Sequence, residues 1–181
     1  MRRAGRVEAS MEPYREALRV SPKAADARLG YGMALVRLGR YREARDWFAD
    51  AANRHPDRPD FQHALARLLA AAPDDRVRDG RRAQTIVESL IPNLKTLDLG
   101  ETLAMAMAEQ GQFADAVAIQ RGVLDAARQA GFIAEATRMA ANLRRYERRQ
   151  PCREPWSNDD AVHSPGPPVN TALLTSGGSR N

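Results

Sequence analysis

Three histidines, one cysteine and two pairs of neighbouring aspartates are where catalytic or metal chemistry would first be sought in this chain. His55, His63 and His163 are scattered; zinc sites pair ligands about three to five residues apart, usually with cysteines close by. All three therefore read as surface or packing histidines. Cys152 is the single cysteine, which excludes an intramolecular disulfide. No base or positioning group accompanies it, so it reads as an incidental thiol at the edge of a tail. Asp74–Asp75 and Asp159–Asp160 fall on expected loops, where nothing fixes the separation that general acid–base work needs. No glycine-rich phosphate cradle is present either. The expectation is a non-catalytic chain with no metal and no cofactor.

The composition points the same way. Of 181 residues, 43% are hydrophobic and only 6% aromatic, so a core must be built from Ala, Leu, Val and Met, which suits close helix packing. The net charge is +5, carried almost wholly by arginine, with Lys23 and Lys95 the only lysines. Arg76, Arg78, Arg81 and Arg82 crowd one loop, and Arg138, Arg144, Arg145, Arg148 and Arg149 load the last helical stretch. Such a face could contact phosphates, or be the solvated outside of a terminal helix. Glu135 and Glu147 nearby and the scarcity of aromatics favour the second, leaving a basic nucleic-acid-associated module as the weaker alternative. No window approaches the ~18 apolar residues of a membrane span, and no apolar stretch follows Met1–Arg3, so neither membrane insertion nor a secretory leader is expected. The expected location is cytoplasmic.

Periodicity and punctuation then place the elements. Leu29, Tyr31, Met33, Leu35, Val36 and Leu38 recur at helical steps between Asp26 and Gly39. A second helix runs from about Arg40 to Asn53 and is stopped before Pro56 and Pro59. Asp60 is placed as the cap of the next, which carries Phe61, Leu65, Leu68 and Leu69. Further helices are expected over 79–90, 98–110, 113–129 and 133–149, separated by Pro92, Gly111 and Gly131. Residues 1–9 read as a flexible start, with the first helix beginning near Ser10 to Pro13. The Pro-, Gly- and Ser-rich stretch 151–181 reads as disordered.

The chain also matches itself at a shift of 34: Gly39, Ala44, Phe48, Ala51 and Pro56 fall on Gly5, Ser10, Tyr14, Ala17 and Pro22. With Arg28, Tyr31, Gly32 and Leu35, the segment from Ala25 to Arg58 resembles a tetratricopeptide repeat, a helix–turn–helix unit. The resemblance implies a right-handed α-solenoid of antiparallel helix pairs: a half repeat over 10–22, units over 25–58, 59–96 (with a lengthened inter-helix linker) and 97–130, and a capping helix over 132–150. The 68–83 stretch, together with the ending around Tyr146 to Pro155, resembles the last repeats of longer bacterial proteins of this type. A truncated C-terminal fragment of such a protein is a second alternative.

In such a stack the first helix of each pair lines the concave face. Inward residues would be Leu29, Met33, Val36 and Arg37, then His63 and Arg67, then Glu101, Met105 and Glu109. These form the expected groove for a peptide or helix of a protein partner. The lysines and asparagines with which chaperone-binding members grip a terminal carboxylate are absent. Glu101 and Glu109 at that end imply a basic or apolar ligand. Tyr14, Leu18 and Val20, uncovered on the half repeat, would serve self-association.

Overall fold

The computed structural model describes residues 2–21 and 24–157. Among these the architecture is all-helical: α1 (Arg2–Val20), α2 (Ala25–Arg37), α3 (Tyr41–Arg54), α4 (Pro59–Ala71), α5 (Gly80–Leu90), α6 (Leu97–Glu109), α7 (Phe113–Gln129) and α8 (Ile133–Glu147). Each helix packs on its neighbours in sequence, and α4 also packs on α6. The result is a helical repeat solenoid.

The two helices of a pair differ in how much of their circumference is apolar. On α3 a thin stripe of Ala44, Phe48 and Ala51 is buried, the pattern of an outer helix with one wet side. On α4 every residue from Ala64 to Ala71 is buried, because this helix meets partners on all sides. Gly32 lets α2 and α3 close up: a Cβ there would stand 2.3 Å from the Phe48 ring. Arg28 lies 5.1 Å over the ring of Trp47, whose indole N–H donates to the Arg28 carbonyl at 2.8 Å.

Four helix ends share one geometry. After α2, α6 and α7 a glycine with φ near +75° (Gly39, Gly111, Gly131) closes paired bonds onto the last turn, the glycine-ended cap that sequence punctuation foretold. After α8 the same bonds form, Arg149 N–H to the Tyr146 carbonyl and Gln150 N–H to that of Arg145, but the left-handed residue is Arg149, with φ 57°.

Three expectations give way. Helix α1 begins at Arg2, inside the stretch read as flexible, and carries Pro13 in its interior; the sequence reading took the proline as a start signal. Asp60 is not the cap of α4. That place is Arg58, whose guanidinium pairs with the Asp60 carboxylate at 2.7 Å. Most consequentially, the first seven residues of the stretch read as a tail, Pro151–Ser157, are packed against the helices, with Cys152, Pro155 and Trp156 buried. Residues 158–181, with His163, lie outside the described residues.

Candidate functional site

The first helices of the pairs, α2, α4 and α6, carry all nine residues expected to line the groove, but these meet very different fates. Met33, Val36 and Met105 are buried in the main core. Leu29 is half-buried at its edge, and Arg37 is exposed. Arg67 and Glu101 are buried as a pair, the Arg67 Nη2 donating to Glu101 Oε2 at 2.8 Å.

That pair is the centre of a polar network. Arg138 of α8 reaches the same Glu101 Oε2 at 2.9 Å and Asp98 at 3.1 Å, and the Asn142 amide donates to Glu101 Oε1 at 3.1 Å. Thr102 donates its hydroxyl to the Asp98 carbonyl at 2.7 Å and accepts from Arg67 Nη1 at 3.2 Å. His63 Nε2 lies 2.9 Å from the same hydroxyl oxygen; since the Thr102 proton is already committed, the imidazole is the donor. Burial would push the Glu101 carboxyl up, but the Arg67 and Arg138 guanidiniums outweigh it and hold the group below the usual carboxylate range. Burial, reinforced by the Arg67 charge, pushes His63 down to about 4, so its ring is neutral at pH 7. His63 is thus a packing residue that also completes the network.

Above this network lies Pro151–Ser157, a strap in non-helical conformation. It leaves α8 at the Arg149 turn and runs back across the first helices. Arg153 bonds Glu109 near the end of α6, and the Arg67 Nε of α4 donates to the Pro155 carbonyl. Trp156 then shares the walls of a pocket with Val36 and Arg37 of α2. Cys152 donates to the Glu154 carbonyl at 3.3 Å, and burial pushes its thiol up, so it is a protonated packing group rather than a nucleophile. Glu109 is held from its other side by Arg78 of the long linker at 2.9 Å.

The strap therefore fills the groove over α4 and α6, and the expected site splits in two. His63, Arg67, Glu101, Met105 and Glu109 are enclosed. Leu29 and Arg37 stay accessible, and Arg37 lines an open pocket of about 410 Å³ together with Val36, Tyr41, Pro73, Arg145 and the strap residues Arg153 to Trp156. Sequence reasoning missed the strap because Pro-rich composition masked it. The signal was there in Cys152 and Trp156, two residues that favour burial within a five-residue span.

No described helix is long and apolar enough to cross a membrane. Comparison with curated proteins and with solved structures gave no match. Two models of the tetratricopeptide repeat match the chain, one over residues 1–68 and the other over 96–130. The first takes in α1 to most of α4, and the second frames the α6–α7 pair. Repeats of this kind generally mediate protein–protein interaction rather than catalysis. With helix pairs, small-residue contacts and glycine-ended turns where the repeat requires them, the chain belongs to the tetratricopeptide repeat family.

Proposed function

We propose that this protein is a non-catalytic adaptor that docks a segment of a partner protein on the open part of its inner face, at the pocket between α2, α8 and the strap. The observation that carries the reading is the strap itself. Seven residues of non-helical chain already lie along the first helices, held by a side chain-to-backbone bond from Arg67 and an ion pair to Glu109. A surface that holds its own extended segment in this way has the side-chain spacing to take another, which is how peptide recognition on helical scaffolds proceeds. Val36 and Tyr41 offer apolar footing at the edge of the pocket, with Leu29 nearer the start of α2, and Arg37 and Arg145 offer charge. The enclosed groove residues support this site rather than touch the ligand. Self-association through α1 has a narrower footing, since among its described side chains Val20 is the one large apolar residue that is mostly exposed, at 71%.

A photo-crosslinking amino acid placed at Pro73, an exposed residue of the pocket wall, tests the proposal in cells. The expected result is a discrete protein adduct at that position and none from the same amino acid at Arg128 on the outer helix α7. Adducts at neither position, or at Arg128 alone, would refute it.

A further inference from the structure

We infer that the pocket beside the strap, with the arginine rim at the end of α8, takes an acidic peptide: an apolar residue flanked by aspartates or glutamates. This rests on the adaptor reading and gives its partner a chemistry opposite to the one the sequence suggested. Glu101 and Glu109, read as groove carboxylates, implied a basic or apolar ligand. Both are already neutralised. Arg67 and Arg138 hold Glu101, and Arg78 and Arg153 hold Glu109. They have no charge left to attract a cation or to repel an anion.

The cations that remain tell the rest. Arg37 and Arg145 line the pocket, and Arg144 and Arg148 stand exposed on the adjoining end of α8. None of the four has an ion-pair partner among the described residues. Glu154 is the one carboxylate on the pocket wall. Guanidinium groups of this kind hold carboxylates through two parallel N–H bonds. Between them, Val36, Pro155 and Trp156 provide an apolar floor, and the volume of about 410 Å³ admits a side chain with its backbone. A single-stranded nucleic acid would want aromatic faces to stack its bases. Here Trp156 is only 9% exposed and Tyr41 is half-buried, so the charges are better matched to a polypeptide.

The test titrates fluorescein-labelled Glu-Glu-Leu-Glu-Glu, its Lys-Lys-Leu-Lys-Lys counterpart and a short oligothymidylate against the full chain, read by fluorescence polarisation. The acidic peptide should bind, and weaken about tenfold or more between about 50 and 300 mM NaCl as exposed charges are screened. It should lose about tenfold or more on Arg37→Glu with Arg145→Glu, while Arg54→Glu with Arg128→Glu on the outer helices leaves it unchanged. Should the reversal disturb the helical signal, Arg37→Gln with Arg145→Gln gives the same readout at smaller amplitude. Four results would overturn the inference: no binding, binding indifferent to the pocket substitutions, tighter binding of the oligothymidylate, or binding of the acidic peptide only after Asp159→Asn with Asp160→Asn. The last would assign the pocket to the chain's own carboxylates. An adduct at position 73 that persists in the charge-reversed protein would leave the adaptor standing and remove only the acidic class.

Discussion

The α4–α6 half of the inner face and its α2 half are built from the same repeat positions, yet one is sealed and the other open. Met33, Arg67 and Glu101 show how. Met33 is the ninth residue of α2, Arg67 the ninth of α4 and Glu101 the fifth of α6, so an apolar residue and a cation share one repeat position and an anion lies one turn before it. The cation and anion pair off, recruit Arg138 and Asn142 from the last helix, and give the strap a carbonyl-binding guanidinium to lie on. The apolar residue sinks into the core instead, which leaves the α2 end without a polar platform. A periodic scaffold thus becomes locally rigid or locally receptive through the residue types on neighbouring turns of its first helices.

The contrast can be broken most severely at its centre. Replacing Glu101 by Ala strands the buried Arg67 without a counter-charge and leaves Arg138 with Asp98 alone, and a stability loss of about 3–5 kcal/mol is expected in denaturant unfolding, as for other broken buried ion pairs. A loss under about 1 kcal/mol would mean that the sealed half is not held by this network. Trp156→Ala removes the buried end of the strap and should cost about 3 kcal/mol, whereas Leu29→Ala on the open half should cost about 1 kcal/mol or less. Equal losses at the two sites would erase the distinction between the halves.

A titration of intermediate size should follow from His63. Its folded pKa of about 4 lies below the ordinary imidazole value, so the unfolded chain binds more protons between those limits. Stability should be complete above about pH 6.5 and fall as the pH drops toward 4, with Glu101 adding its own loss as its depressed carboxyl finally protonates. The slope between pH 6.5 and 4.5 should vanish in His63→Gln; an unchanged slope would place the proton uptake elsewhere. The smallest effect is expected at the Arg149 turn, where Arg149→Gly relieves the left-handed backbone and should stabilise by about 0.5–1 kcal/mol in thermal melts. Destabilisation there would show that the arginine side chain over Phe113 outweighs the strain.

Much of the frame could be read before any coordinates. Gly39, Gly111 and Gly131 are followed by helices at the expected places because glycine alone enters the left-handed cap cheaply, and Ala44, Phe48 and Ala51 repeat because helix pairs touch only through narrow apolar stripes. The lengthened linker after α4 was also visible. What was not visible is how the first helices answer it: Ala44 to Ala83 is 39 residues and Ala83 to Ala116 is 33, whereas the first helices begin at Ala25, Pro59 and Leu97, 34 and then 38 residues apart. The outer helix slides first and the inner one follows, so that both have moved by 72 residues at the α6–α7 pair. Asp79 fixes that slide, its backbone N–H bonding the Leu69 carbonyl and its carboxylate capping α5 at Arg82. The site was legible only as a list of inward positions. Which of them a neighbour would consume depends on α8 and on the strap, and no local pattern reports contacts made 88 residues away.

That separation changes how the molecule must come apart. A stack whose units touch only their neighbours can fray from either end, one hairpin at a time. Here the segment that follows α8 is stitched to the middle of the stack through Arg67 and Pro155, so peeling away α8 also breaks contacts on α4 and α6. Unfolding from the C-terminus should therefore be cooperative, with amide exchange in α8 protected as well as in α4, and folding should be slowed by the long loop that must close before the stitch can form.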